Sequence, residues 1–153
     1  MSIKAIAVFD SKKIKGTVRF IEENDHVLID IDVSGLKNNA LHGFHVHEYG
    51  DMSSQCDSMC AHFNPFQKSH GGPDSKNRHV GDLGNLRTNE AGVARYQMRD
   101  SVIKLRGSKC NIIGRGLIIH AHEDDLGKGG HEDSLTTGHA GKRIACAVIG
   151  YSK

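Results

Sequence analysis

Apolar and polar residues alternate along much of this chain in short segments, which is the period of β-strands with one buried face. In the segment 27–33 every odd position is valine or isoleucine, while positions 30 and 32 are aspartate. The same pattern predicts strands at 3–9, 16–21, 26–33, 41–47, 82–88, 93–99, 116–120 and 143–149. About eight short strands are typical of an all-β sandwich or barrel.

Two segments interrupt this rhythm, at 48–81 and 121–142. Both are much longer than ordinary connections between strands. Segments longer than about 12–15 residues without secondary structure are usually functional or disordered. We therefore expect a functional site to draw residues from these two segments.

Composition narrows the class of protein. The 153 residues include 18 glycines, 2 prolines and no tryptophan, which suits short strands with tight turns in one domain spanning 1–153. The net charge of +2 is not concentrated in a basic run, so we expect neither nucleic acid nor a membrane surface as a partner. The chain shows no signal-peptide pattern and no apolar run of about 18 residues, which predicts a cytoplasmic protein.

Histidines supply the candidate chemistry. His45 and His47 are two residues apart in a predicted strand, so their side chains point to the same face and form half of a metal site. A lone pair of this kind is weak as a signal, but further potential ligands follow within the first long segment and at the end of a later strand. They are His62, His70, His79, Asp82 and His120.

The four cysteines do not have the spacing of a zinc site. Cys56 and Cys60 are separated by three residues, and no second close pair exists. All four cysteines, including Cys110 and Cys146, are interpreted as packing or redox residues.

At this point the chain resembles a known family, the intracellular copper/zinc superoxide dismutases. The resemblance runs in order from Lys4 to Gly150. It rests on GFHVHEYGD (43–51), HFNP (62–65), HGGP (70–73), RHVGDLGN (78–85), DDLGKGG (124–130) and TGHAGKRIACAVIG (137–150).

The resemblance implies an eight-stranded antiparallel Greek-key β-barrel or sandwich with two long functional loops. It implies disproportionation of superoxide to dioxygen and hydrogen peroxide by alternating reduction and reoxidation of copper. The implied copper ligands are His45, His47, His62 and His120, and the implied zinc ligands are His62, His70, His79 and Asp82. Imidazole suits both metals, and a carboxylate completes a closed tetrahedral zinc site.

Two further residues have implied functions in the reaction. Asp124 corresponds to a carboxylate that hydrogen-bonds one ligand of each metal, and Arg143 corresponds to an arginine that binds the anionic substrate. The family's guiding lysine falls at Thr136, so we expect Arg143 and Lys142 to provide most of the attraction, with a weaker contribution from Lys128.

The resemblance also bears on the thiols and on partners. It implies a disulfide between Cys56 and Cys146, with Cys110 free. The family usually has small residues other than cysteine at positions 60 and 61, so Cys60 remains an alternative partner for Cys146. A homodimer and a copper donor are implied partners, with dimer contacts at Tyr49, Gly50, Ile113, Gly114, Gly150 and Tyr151.

Two other functions compete with the enzyme. A copper or zinc carrier would need no anion-binding Arg143, and a structural zinc domain would not need the copper ligands. The remaining histidines are interpreted without a metal function. His42 is expected to hydrogen-bond within the structure, and His122, near His120, is at most an adventitious ligand. His26, His131 and His139 are expected to be solvated loop residues.

Overall fold

A computed structural model describes residues 1–153 as two antiparallel β-sheets with a single short 3₁₀ turn at Asp57–Met59. The strands are β1 (Lys4–Asp10), β2 (Lys15–Glu22), β3 (Val27–Ser34), β4 (Leu41–His47), β5 (Asp82–Arg87), β6 (Ala94–Asp100), β7 (Gly116–His120), β8 (Arg143–Val148) and β9 (Gly150–Tyr151). The predicted all-β fold is confirmed.

The strand order is β6-β3-β2-β1-β9 in one sheet and β5-β4-β7-β8 in the other. The chain crosses between the sheets four times, from β3 to β4, from β5 to β6, from β6 to β7 and from β8 to β9, so sequential strands are not always neighbours. Every ladder is antiparallel. This connectivity places β4, β7 and β8 side by side, with the long connections 48–81 and 121–142 leaving from their ends.

The inner faces of both sheets form one hydrophobic core of 26 buried residues. Alternation decides which side chains enter it. In β3, for example, Ile29 and Ile31 are fully buried in the core, whereas Asp32 is exposed. Burying side chains of this size contributes about 1.5–3 kcal/mol each, so the shared core holds the two sheets face to face.

All eight predicted strands are present, and no bound differs from the predicted one by more than one residue. The prediction omitted β9, a two-residue strand that pairs with β1 across Ala5 and Ile6. It also missed a third long connection, 101–115, which contains only one isolated bridge between Lys104 and Asn111. No helix of this structure is long and apolar enough to cross a membrane.

Candidate metal centre

Strand β4 sets the position of the first two histidines. Phe44 and Val46 point into the hydrophobic core, so His45 and His47 on the opposite face point away from it. Both imidazoles are nevertheless buried, because the two long connections cover this face of the sheet. The predicted pairing of His45 and His47 on one face is therefore present.

Strand β7 contributes the next histidine by the same alternation. Leu117 and Ile119 are in the core, which leaves His120 on the face that His45 occupies. The register of β7 against β8 shifts between Ile119 and His120, where His120 pairs with Arg143. Such bulges often re-aim side chains beside functional sites, and here the bulge places a histidine next to a guanidinium-bearing residue.

The connection 48–81 folds back along β4. His62 forms an isolated bridge with His47, and the amide of Phe63 donates to the carbonyl of Val46 at 2.8 Å. These contacts bring together His47 and His62, which are fifteen positions apart in the sequence. Their ring centroids lie 4.9 Å apart. Backbone hydrogen bonds thus bring residues of a long loop to the two strand histidines.

Four buried ring nitrogens converge in one group and have no hydrogen-bond partner. They are His45 Nδ1, His47 Nε2, His62 Nε2 and His120 Nε2. Each of these four histidines offers a ring nitrogen that lies within 4.8 Å of one from each of the other three. A buried polar atom without a partner costs about 1–3 kcal/mol, so four together indicate a site for a bound ion.

In each of the three strand histidines, the second ring nitrogen donates a hydrogen bond. The unpaired nitrogen of the same ring therefore carries a lone pair. Nδ1 of His47 donates to the carbonyl of Cys60 at 2.8 Å, and Nδ1 of His120 donates to the carbonyl of Gly141 at 3.0 Å. Nε2 of His45 donates to Asp124 Oδ2 at 2.6 Å. Because carbonyls and carboxylates only accept, each neutral ring must present its second nitrogen as an acceptor, which is the form that binds a metal.

A second group surrounds Asp82. Its Oδ1 lies 2.9 Å from Nδ1 of His62, 2.9 Å from Nδ1 of His70 and 3.2 Å from Nδ1 of His79. The Nδ1 atoms of His62 and His79 are themselves 3.1 Å apart. The other oxygen, Oδ2, accepts backbone N–H groups from Gly71 and His79, so Oδ1 is the oxygen left for this group.

These separations fit a tetrahedral zinc site. Ligands about 2.0–2.1 Å from a tetrahedral zinc ion are about 3.3 Å from one another, close to the distances around Asp82 Oδ1. Distance alone also groups His45 with His62, His70 and Asp82. Nε2 of His45 is already bonded to Asp124 and its Nδ1 belongs to the first group, so His79 is the better fourth member.

Asp124 connects the two groups. It is 1% exposed and accepts from Nε2 of His45 at 2.6 Å and from Nε2 of His70 at 2.8 Å. Asn85 holds the backbone of Asp124 on both sides, at its N–H and at its carbonyl. Gly138 permits this packing, because a Cβ there would lie 2.2 Å from Asp124 Oδ1 and its φ is +75°.

Electrostatics distinguish the two groups in the metal-free protein. Burial lowers the pKa of His45 and His47 well below 6.5, and burial likewise lowers the pKa of His120 to about 4. Burial also opposes a charge on His70, but hydrogen bonds with Asp124 and Asp82 outweigh it and raise its pKa to about 9. The first group is therefore neutral and ready to bind a cation, while the second retains a proton that a metal must displace.

Arg143 lies beside the first group and is anchored by two carbonyl groups. Its Nη1 donates to Cys56 at 2.8 Å and its Nη2 to Cys60 at 2.5 Å. Cys56 is linked to Cys146 by a disulfide that closes a separation of 90 residues, while Cys60 and Cys110 are free. The pairing implied by the resemblance is thus present, and Cys60 is not the partner of Cys146.

The carbonyl groups that hold this site could not be found from residue type. Cys60 has φ +64° and ψ −141°, a conformation that suits glycine, and its carbonyl accepts from both His47 and Arg143. His42 has the structural function expected of it, since its Nδ1 donates to the carbonyl of His120 at 2.8 Å.

Thr136 lines a cavity of about 510 Å³ beside His62 and His79, together with Lys68.

Comparisons with known proteins agree with this geometry. The family model for copper/zinc superoxide dismutase matches residues 14–149. A Cu-Zn superoxide dismutase of Paramecium bursaria Chlorella virus 1 is 62% identical over 151 residues, which cover 99% of this chain and 80% of the viral protein. A Cu-Zn superoxide dismutase of Yarrowia lipolytica is 52% identical, with 97% of each chain covered.

A solved structure is also similar. The crystal structure of the clock protein EA4 matches with a TM-score of 0.94 at 44% identity, covering 97% of this chain and 94% of that chain. The family match and the near full-length relatives agree with the two groups of potential ligands. This chain belongs to the copper/zinc superoxide dismutase family, whose copper and zinc cofactors serve the disproportionation of superoxide to dioxygen and hydrogen peroxide.

Proposed function

We propose that the two groups of side chains bind the two metals separately and share one histidine. The copper ligands are His45, His47, His62 and His120, and the zinc ligands are His62, His70, His79 and Asp82. His62 has one nitrogen on each side, Nε2 toward the first group and Nδ1 toward Asp82. The observation that supports this assignment most directly is the convergence of four buried, unpaired nitrogens.

A copper ion held by the four histidines of the first group would supply one-electron exchange with superoxide. The chain's own contribution begins with Arg143. Two of its N–H donors are held by the carbonyls of Cys56 and Cys60, so the orientation of the guanidinium is fixed before the substrate arrives. The remaining donors are free to hold a small anion beside the strand histidines, and the arginine is partly exposed to solvent.

His62 is the residue that moves a proton. Formation of hydrogen peroxide from superoxide consumes protons in the second half of the cycle only. Nε2 of His62 is buried and has no partner within the protein, so it would carry one of the two protons that peroxide needs, and the second would come from solvent. Nδ1 stays beside Asp82 throughout, and this contact keeps the ring in place.

Asp124 keeps the ligands in the correct tautomers. Because it accepts from His45 and His70 together, it fixes the N–H of each ring on the side away from the metals. Burial of the carboxylate excludes water from these two hydrogen bonds. Asp124 is thus a positioning residue for both groups.

The copper assignment is tested by replacing one ligand that belongs to the first group alone. His120→Ala should lose copper and superoxide turnover while it retains zinc, and zinc retention also shows that the protein has folded. His122→Ala is the matched control, since His122 is exposed, two residues away and in neither group. Copper content and turnover measured on the same samples decide it. Full copper and full turnover in His120→Ala would contradict the assignment.

We also infer the wider context of the molecule. The single core shared by both sheets supports one domain spanning 1–153. A homodimer is supported by exposed apolar side chains close to the predicted contact positions, namely Tyr49, Val148 and Tyr151. A copper donor is supported by the burial of the four copper-facing histidines, because the ion has to pass the covering loops. A cytoplasmic location rests on the similarity to intracellular members of the family.

A test of the dimer is available at the same surface. Val148→Glu should convert the dimer to a monomer, as measured by analytical ultracentrifugation, because it places a charge on an exposed apolar strand residue. The control is Leu135→Glu, an exposed apolar residue in the connection 121–142, which holds none of the predicted contact positions. A monomeric wild-type protein would contradict the dimer.

A further inference from the structure

Two histidines that belong to neither metal group are stacked on the surface of the connection 121–142. The rings of His131 and His139 have centroids 3.7 Å apart and planes inclined by 10°. Both residues are exposed. Seven residues lie between them along the chain, so their contact is a product of the fold of this loop.

A tight turn brings the two rings together. The carbonyl of Asp133 accepts the backbone N–H groups of Thr136, Thr137 and Gly138, at 3.2, 2.8 and 3.2 Å. The backbone N–H of His131 donates to Ser134 Oγ at 2.9 Å. The chain therefore reverses between positions 131 and 139, and backbone hydrogen bonds maintain the reversal before any ion is bound.

A carboxylate sets the tautomer of one ring. Nδ1 of His139 lies 2.6 Å from Asp133 Oδ1. The carboxylate can only accept, so Nδ1 carries the hydrogen and Nε2 of the neutral ring carries the lone pair. The same arrangement of carboxylate, imidazole and metal is common where histidine binds transition metals, because the outer carboxylate makes the ring a better ligand.

From this arrangement we propose a third metal site, in which His131 and His139 together bind one divalent transition-metal ion of the zinc or copper class. Imidazole suits these ions, and water completes the coordination at an exposed site. In the metal-free stack each lone pair lies in its own ring plane, so the rings must tilt to share an ion. Both residues are exposed and His139 retains 52% of its side-chain surface, so the rings have solvent-accessible space in which to tilt.

The bound ion would join the two arms of the loop that carries Asp124. That loop reaches the main centre through Asp124, whose partners are His45 and His70. An ion between positions 131 and 139 would close the outer end of the same connection. The expected consequence is slower amide hydrogen exchange across 131–139, since opening of the turn would require release of the ion.

The experiment uses the holoenzyme with its copper and zinc contents measured first, so that the main centre is full before the titration. Zn²⁺ is then added, and binding is followed by calorimetry and equilibrium dialysis. The wild-type protein should bind one more Zn²⁺ per chain than the double variant His131→Asn/His139→Asn. Each single variant should weaken this binding at least tenfold, and Asp133→Asn should weaken it about 10–100-fold.

A matched control separates a built pair from a single surface histidine. His122 is exposed and stacks on no other imidazole, so His122→Asn should leave the additional zinc in place. Equal binding by wild type and the double variant would overturn the proposal. So would weak binding that falls equally in the double variant and in His122→Asn, because that pattern describes nonspecific binding to surface histidines.

Discussion

Asp124→Asn isolates the connection between the two metal groups, because it preserves the size of the side chain and removes its charge. The carboxylate accepts two N–H groups, from His45 at 2.6 Å and from His70 at 2.8 Å. An amide has one oxygen, so one of the rings must face the NH₂ group instead, where two donors oppose each other. At least one histidine therefore loses the partner that fixes its tautomer.

The expected loss is worked from these two hydrogen bonds. Removal of such an outer partner typically lowers metal affinity by about 10–100-fold, which corresponds to about 1.4–2.7 kcal/mol. We expect a loss in this range for zinc, because its proposed ligand His70 is held between Asp124 and Asp82. Copper affinity should also fall, because His45 shares the same carboxylate.

The number of protons released on zinc binding is a second, independent measure of the effect of Asp124→Asn. In the metal-free protein His70 has a pKa of about 9, which leaves it charged at pH 7. Zinc must displace that proton, so binding should release about one proton from His70, and affinity should rise about tenfold per pH unit from pH 7 to about 9. Because Asp124 is the largest contributor among those that raise this pKa, Asp124→Asn should release fewer protons at the same pH.

The same shift has a consequence for stability. The pKa of His70 is raised from 6.5 to about 9, so its protonated form stabilises the folded state of the metal-free protein. This contribution to the free energy of unfolding is complete below pH 6.5 and disappears as the pH rises through about 9. Its size is about 3 kcal/mol at 1.36 kcal/mol per unit of pKa. Denaturant unfolding of the metal-free protein between pH 6 and pH 10 measures it.

The assay is calorimetric titration of zinc into metal-free protein, in two buffers with different enthalpies of ionisation, which yields affinity and proton release together. Asp125→Asn is the control, since Asp125 bonds Ser134 and touches no histidine of the two groups. Unchanged zinc affinity and unchanged proton release in Asp124→Asn would refute the reasoning. An equal loss in Asp125→Asn would show that the effect comes from general loosening of the loop.

Further predictions concern the shared ligand, the strained thiol residue and the approach of substrate. His62→Ala should reduce copper and zinc content together, whereas His79→Ala should mainly reduce zinc; retention of both metals by His62→Ala would exclude a shared ligand. Cys60→Gly should raise the free energy of unfolding by about 1 kcal/mol in denaturant titrations, since glycine relieves the φ of +64°, and Cys60→Ala should show no such gain. Lys142→Glu should lower turnover per bound copper and flatten its dependence on ionic strength, because the Debye length is about 8 Å at physiological salt, and Arg143→Ala should lower turnover further. Rates measured against ionic strength check the last prediction, and an unchanged slope in Lys142→Glu would place the guidance elsewhere.

The positions of the strands were predictable because the alternation of apolar and polar residues that favours each strand lies within that segment of the sequence. Alternation in a segment such as 27–33 commits one face to the core wherever the segment lies in the fold. The two-residue strand β9 was missed because it is too short to show any period and depends on pairing with β1. The connection 101–115 was missed for a related reason, since its order comes from contacts with distant residues, such as that of Arg106 with Glu22.

The pair His45 and His47 was predictable from spacing, and the wider ligand set from the resemblance of whole motifs. The atoms that hold these side chains were not. Backbone carbonyls of Cys60 and Gly141 orient His47 and His120, and every residue type has a carbonyl, so no sequence pattern marks these two. The contact between His131 and His139 was likewise interpreted from sequence as two separate solvated residues.

The sequence by itself therefore determined the strands, the residue types available for metal binding and the family, because periodicity and motifs are properties of neighbouring positions. The tertiary structure decided which nitrogen of each histidine is free and which cysteine pairs with Cys146, and it brought His131 and His139 together. The physical reason is that a tautomer, a disulfide or a stacked pair depends on the distance and direction between particular atoms. Only the folded loops 48–81 and 121–142 fix those distances.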